Sequence, residues 1–540
     1  MFFERLKGTL KLTIAGTTTT VPAGNLKRFE IELTPWGYRG FAEWWFICVS
    51  SPSEDTLFTS FVGKDLISVE LSLARAFSEV AEEVEEEATA LVLKGLVIEK
   101  SAVERSFPEV TGKPVLHRRY TIRFADRGAV LWSQHRPSVL YVDKTLKDLI
   151  EDNKPTGVTI EHAWAASSPT HPVLALGLGS AVNDASYYDF LFWLFDKLNV
   201  GFFYDPAGDK YKIADAKSSG TAIDLRRAEV EVMECVFPPI HRDAVAVLNA
   251  YSDAGTKKKD ITNADGVTGV RTDYLIRSAI AADLDTRATL ETDRAKQHEP
   301  EARVTLKLFP AVPFVPGMLL KLDSEWSTKV FQYGKTYRIV TVRLAGEAEH
   351  QQATMDDRDA TNRYQLDYAL QLELNSDPVV RHPPFRRPVW PFYVEGKVLS
   401  EVGADDELTF QPYPDEQTSL EYYKVKIPLW EDQKVIVPYE PITHPGHFFF
   451  PLYKDERALV ALYFDKARIR AFLDWRPGGR LPTDSQGNHL LVGKKDKNQT
   501  SISHVYEDQK PVMTIKRTLE DDVQTITISE GMIRWETRDH

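Results

Sequence analysis

Cysteine is nearly absent from this 540-residue chain: Cys48 and Cys235 stand far apart, in no paired motif. That excludes a disulfide framework and a zinc site built on local cysteine pairs, and leaves two reduced structural thiols. Basic excess is missing too. Lys and Arg number 66 against 79 Asp and Glu, for a formal net charge of −13, so no basic face is expected to displace counterions from a nucleic acid. No apolar run approaches the roughly 20 residues that span a bilayer. The opening "MFFERLKGTLKLTIAG" carries Glu4, Arg5 and Lys7 and reads as no signal peptide, so cytoplasmic assembly is expected.

Catalytic signatures are also lacking. There is no G-x-S-x-G, P-loop or dinucleotide fingerprint, and neither cysteine has an adjacent histidine. No catalytic residue, cofactor or metal is assigned, and the chain is expected not to be an enzyme. His162 and His171 in "HAWAASSPTHP" fit no zinc spacing, and His444 and His447 in "ITHPGH" read as polar groups near a turn. The pairs Asp405–Asp406 and Asp521–Asp522 read as solvated loop charge. The glutamates of "SEVAEEVEEEATA", residues 78–90, read as an exposed loop or helical face.

Strands are plentiful. Hydrophobic residues make up 43% and aromatics 11%, ample for packed cores in several domains. Residues 8–135 alternate as short strands. Two helices stand out. "VDKTLKDLIEDNKP" puts Leu146, Leu149 and Ile150 on one stripe and stops before Pro155. "DASYYDFLFWLFDKLNVGFFYD" opens with the capping-box pair Ser186 and Asp189. It shows an apolar face of Phe190, Leu191, Leu194, Phe195 and Leu198, with Gly201 as its expected stop. "SDAGTKKKDITNADGVTG" reads as an exposed insertion loop, after which strands return and a second β-rich unit closes near residue 375. The proline-rich "NSDPVVRHPPFRRPVWPF" reads as an extended interdomain linker. From there to about 481, short strands with hairpin turns suit a small Greek-key barrel of OB type. In the last segment Met513 and Ile515, Ile526 and Ile528, then Ile533 and Trp535 alternate with polar residues. These one-sided strands are too few to bury their own faces and need partners, most simply the same strands from other copies.

The order of these motifs resembles one family across nearly the whole chain: VgrG, the central spike of type VI secretion, with the hub and spike proteins of phage tails and extracellular contractile injection systems. The resemblance is carried by "FVGKDLISVEL" with "LVLKGLVIEKSAVER", and by "RRYTIRFADRGAVLWSQHRPSVLYVDKTLKDLIED" with "SYYDFLFWLFDKLNVGFFYD". "YYKVKIPLW", "FFFPLYKDERALVALYFD" and "FLDWRPGGRLP" continue it. Each motif alone is weak; their shared order makes the likeness. The family's usual glycine is replaced in "DERALV", so that turn is expected to differ, and the barrel strand ends "PLWED". The long glycine-rich needle repeats of many members are missing from this sequence, and neither an inserted lysozyme nor a C-terminal effector domain is expected.

The resemblance implies a mainly β fold with a few helices: tandem hub β-barrels, an OB-fold barrel and a short C-terminal intertwined trimeric β-prism. The expected divisions are 1–165 for the first hub barrel and 166–376 for a second hub domain carrying a helix at 185–199. The linker is 377–392, the OB-fold domain 393–482 and the needle 483–540. The implied role is the structural centre of a contractile injection machine, joining a hexameric tube to a trimeric membrane-puncturing tip. Implied partners are itself as a homotrimer, a PAAR-type tip protein, an Hcp-like tube protein, baseplate proteins and cargo effectors, with the target membrane met only on injection, when the particle is secreted or injected. Met513, Ile515, Ile526, Ile528, Ile533 and Trp535 are the expected prism core. Phe448, Phe449, Phe450, Val460 and Leu462 are the expected barrel and collar residues, the phenylalanines serving the barrel core and a subunit interface. Rival readings are a carbohydrate-binding adhesin, since OB barrels bind oligosaccharides, and an enzyme with an unrecognised site.

Overall fold

The computed structural model describes residues 1–539 apart from 49–50, 77–88, 108–114, 324, 327–333, 352–357, 405–406, 408, 416–420, 439–450, 474–486 and 496–497. The chain divides into two compact units, one of residues 1–171 and 176–390, the other of 172–175 and 391–540.

The first unit is built around a closed ring of eight antiparallel strands. Six come from its start: β1 (Phe2–Ile14), β2 (Leu26–Thr34), β3 (Gly37–Cys48), β4 (Ile67–Arg75), β5 (Leu91–Phe107) and β6 (Val115–Ala125). Two come from its far end, β7 (Thr336–Ala348) and β8 (Thr361–Leu374). The ladder runs β7-β2-β3-β6-β5-β4-β1-β8, and β8 returns to β7, which leaves no free edge. Residues 1–165 thus supply six staves, and the ring closes only with a hairpin more than 200 residues further on.

Every second residue of each stave points inward. Leu6, Leu10 and Leu12 of β1 fill the interior with Leu71, Leu73, Phe124 and Tyr364. The tightest fits need glycine. A Cβ on Gly40 would stand 2.3 Å from the Phe124 ring, and one on Gly346 would stand 2.2 Å from that of Phe29. Trp44 stacks on Tyr120 at 5.2 Å. The Tyr120 hydroxyl donates to Asp55, which also pairs with the buried Arg118 at 3.1 Å.

β7 and β8 are long because they serve two sheets. One half of the hairpin closes the ring. The other half carries Leu319–Leu322 on β7, with Ile223–Leu225 beyond it, and Glu301–Leu306 on β8, with Val230–Val236 beyond it.

The same unit carries helices. α1 (Leu146–Asp152) begins at Thr145, which forms a capping box with Asp148, and buries Leu146, Leu149 and Ile150. α2 (Tyr187–Leu198) begins at Ser186 with the Asp189 capping box. It buries Phe190, Leu191, Leu194 and Phe195, with Tyr187 and Phe192 added and Leu198 only half-buried. The helix does not stop at Gly201. Asn199 ends it in the left-handed region at φ 53°, its N–H bonded to Asp196 and Phe195 carbonyls, because asparagine tolerates that conformation. Gly201 instead opens a strand, where a Cβ would meet the Phe203 ring at 2.4 Å.

The "SDAGTKKKDITNADGVTG" stretch is not wholly loop. Lys258–Ile261 is a strand beside Ala244–Asn249, whose other neighbour is Arg271–Ile276. α3 (Ala281–Arg294) covers this small sheet, around a core of Val245, Val247, Ile261 and Leu284. The proline-rich segment is also more than a tether. Asp377 accepts hydrogen bonds from His298, from the N–H groups of Glu299 and Val379, and from Lys217. Burial would raise that carboxyl, but these partners hold it far below the usual carboxylate range. Arg381 bridges Glu301 and Glu373, and Trp390 lies against Trp193 at 4.7 Å.

The second unit opens with a small barrel: β9 (Phe392–Leu399), β10 (Glu421–Ile427), β11 (Gln433–Pro438), β12 (Arg457–Leu462) and β13 (Ala467–Phe472). β9 lies between β10 and β12, β13 follows β12, β11 pairs with β10, and β11 lies against β13. In "DERALV" the turn before β12 places Asp455 at φ 63°, the region glycine favours and aspartate tolerates.

Candidate assembly surface

The chain closes with five strands: β14 (Asn488–Lys495), β15 (Asn498–Glu507), β16 (Lys510–Leu519), β17 (Asp522–Ser529) and β18 (Met532–Arg538). They form an antiparallel meander in chain order. The turns between them hold positive φ at Asp508 and Gln509, at Glu520, and at Gly531 with φ 69°, where glycine bears it without cost. Backbone pairing is therefore satisfied inside one chain, between consecutive strands.

The register decides which side chains meet. Residues directly opposite on antiparallel strands share a face. One cross-strand row runs Leu490, Ile502, Ile515, Ile526, Trp535. The next row on that face runs His504, Met513, Ile528, Ile533. All six expected prism residues therefore lie on one face, in two adjacent rows. The opposite face carries Ser501, Lys516, Thr525 and Glu536 in one row, and Ser503, Thr514, Thr527 and Arg534 in another. In these central rows one face is mainly apolar and the other mainly hydroxylated or charged, although Val505 and Val512 also lie on the second.

None of the described residues covers the outer part of the apolar face. Trp535 is 75% exposed, Ile533 63% and Ile528 41%, while Ile515 and Ile526 are half-buried by their neighbours. A contiguous exposed apolar face of this kind marks an interaction surface. Sequence reading missed three members, Leu490, Val492 and Ile502. Their signal was the same alternation, visible in "HLLV" and "SIS".

Of the barrel residues, Val460 and Leu462 are fully buried on β12, within the core of the small barrel. Phe448, Phe449 and Phe450 lie outside the described residues, as do His444, His447, Asp405, Asp406 and residues 78–88. His162 is a structural group: its Nε2 lies 2.8 Å from Glu151, and its Nδ1 accepts the Trp164 indole N–H at 3.1 Å. His171 sits on a two-residue strand opposite Lys144. Burial pushes the Cys48 and Cys235 thiols up, the reverse of what a thiolate nucleophile needs. Among the described residues no group of three His, Cys, Asp or Glu side chains converges as metal ligands. No helix among them is long and apolar enough to cross a membrane.

No family model matches the chain, and no curated protein does. Solved structures do. A chain of the lidless PdpA–VgrG complex aligns over 100% of this chain and 99% of its own length, with a TM-score of 0.70 at 12% identity. A chain of the lidded PdpA–VgrG complex of Francisella aligns over 99% of this chain and 80% of its own, with a TM-score of 0.71 at 13% identity. The half-lidded form gives 0.68 over 99% and 88% at 12% identity. The chain therefore has the hub-spike fold of VgrG, mainly β and with few helices.

Proposed function

We propose that the chain is the structural hub and spike of a contractile injection machine, and that three copies assemble with the apolar face of the meander turned inward. The observation that carries this reading is that face: two rows of isoleucine, methionine and tryptophan, uncovered in the single chain, at the end of a hub-spike fold. Three such sheets would form the three walls of a prism, dry inside and hydroxylated outside. The closed eight-stranded ring and the second sheet form the hub that meets an Hcp-like tube, and the small barrel forms the collar. A PAAR-type protein would cap the end near Trp535, and baseplate proteins and cargo effectors would meet the hub. The chain would be assembled in the cytosol and leave it within the particle. Its work is mechanical, not catalytic.

The subunit mass is 61.3 kDa, so a trimer weighs three times that, about 184 kDa. Light scattering on the full chain should give the trimer, and removal of residues 483–540 should dissociate or aggregate it. A well-behaved full-length monomer across micromolar concentrations would sink the reading.

A further inference from the structure

Away from the tail, the first unit holds a cavity of about 510 Å³ that the mechanical role leaves unused. Its size is that of a small-molecule pocket. Three segments build it: the strand end Phe203–Asp205, the irregular stretch 217–221 and the turn 315–319. The turn is tied to the stretch by the Ser218 hydroxyl, which donates to the Gly317 carbonyl at 2.8 Å. It is tied to β7 by the Gly317 N–H, which donates to Ile339 at 2.8 Å. Gly317 holds φ 90°, so few other residues could make this turn.

The walls are of two kinds. Phe203, Tyr204, Val315, Met318 and Leu319 give an apolar side. The rest is polar: five lysine and arginine side chains line the cavity against three carboxylates, and Lys212, Lys217, Arg338 and Arg381 are already in ion pairs with carboxylates, leaving Lys210 as the uncommitted cation. Arg338 is the polar anchor. It is 7% exposed, and its two Nη atoms are held by Glu373, Asn375 and the Ser218 carbonyl. Its Nε is buried with no hydrogen-bond partner, and a buried donor left unmatched is costly. Lys210 also lines the cavity and forms no ion pair among the described residues. The exposed backbone at Ser219 and Gly220 borders the cavity, and its N–H groups donate to none of the described residues.

From these features we propose that the cavity binds a small organic anion, a carboxylate carried on an apolar body. The head would take the unmatched Arg338 Nε together with Lys210 and the exposed N–H groups of Ser219 and Gly220, and the body would lie against Met318 and Phe203. This proposal is independent of the trimer.

Calorimetric titration of the full-length protein with decanoate tests it, with decanol and inorganic phosphate as the two half-ligands. The expected result is saturable binding of one decanoate per chain, with either half-ligand at least tenfold weaker. Met318→Trp, on a partly exposed turn, fills the apolar side and should weaken decanoate at least tenfold. Lys210→Ala should weaken it several-fold without touching the core, so the test survives if Met318→Trp misfolds. Trp535→Ala on the tail should leave it unchanged. Three results overturn the proposal: no saturable binding, binding indifferent to both cavity substitutions, or phosphate binding as tightly as decanoate.

Discussion

Trp535→Ala separates assembly from folding more cleanly than any other change in the tail. In the single chain Trp535 is 75% exposed at the end of its row, opposite Ile526. A tryptophan offers about 200 Å² for burial, so three copies closing over the face would remove roughly 150 Å² of it per chain from water. At about 25 cal/mol per Å² that is ~4 kcal/mol, of which alanine retains a small part. The loss is therefore about 3 kcal/mol per chain and roughly 9 kcal/mol per trimer. With each 1.4 kcal/mol worth a factor of ten, the trimer dissociation constant should rise by about six orders of magnitude. Within one chain the same substitution removes only about 50 Å² of buried surface, so unfolding of a dissociated subunit should shift by about 1 kcal/mol. Sedimentation velocity over a dilution series reads the first effect, and thermal unfolding of the dilute protein reads the second. Arg534→Ala, on the opposite face, is the control and should leave the mass unchanged. A Trp535→Ala trimer that dissociates at the wild-type concentration would refute the inward-facing arrangement.

Three further expectations concern the first unit. His382 lies in the proline-rich segment against Phe192 at 6.3 Å; burial pushes its imidazole down to about 4, with Asp196 opposing and Arg294 reinforcing the shift. The neutral ring is therefore native, and stability is complete above the ordinary value near 6.5 and falls as pH drops from there to about 4, by at most about 3 kcal/mol. Denaturant unfolding at pH 7 and pH 4.5 should show this loss, and His382→Leu should abolish most of it; an unchanged acid slope in the variant would exclude the group. Gly40→Ala drives a methyl into the Phe124 ring and should cost about 1–3 kcal/mol in the barrel, read as a lower denaturant midpoint. Asn199→Ala should cost about 1 kcal/mol, because alanine has no local compensation at φ 53°, whereas Asn199→Gly should be neutral or stabilising; equal effects of the two would show that the cap conformation is not what matters.

What was legible in the sequence follows from how far each signal reaches. The Ser186–Asp189 capping box was legible because it acts across three residues, whereas the Thr145–Asp148 box, of the same reach, emerged only with the structure because a two-residue strand runs into it. The apolar rows of the tail were visible because strand alternation is local: Ile526 and Ile528 share a face whatever they pair with. Ring closure was not visible. That β8 rather than an early strand seals β1 depends on Leu6 meeting Asn362 across more than 350 residues, and no short pattern carries that register. α3 escaped because it buries little: Leu284 is its one fully buried large apolar side chain, and Glu291 occupies another buried position in ion pairs with Arg287 and Arg294. The end of α2 was misplaced by two residues because glycine is the commoner left-handed residue, and here asparagine does the same work.

The tail's chemistry also says why assembly should proceed through a face. A five-stranded meander with one uncovered apolar face is marginal by itself. Its free edges, β14 and β18, could recruit further strands, but lengthening the sheet would leave the apolar face as wet as before. Stacking against a face of different character would leave either Trp535 and Ile533 or the partner's polar groups unmatched. The surface that suits two apolar rows of this width is another copy of the same rows. A closed arrangement of copies would cover every one of them. Load along such a needle would be borne by sheets whose strands already pair within each chain, so a change confined to the buried face should alter how readily the copies part, while each meander keeps its own register. Hydrogen exchange of the β15–β17 amides in dissociated Trp535→Ala protein would measure that: retained protection supports self-contained meanders, and complete loss would mean the strands form only in the assembly.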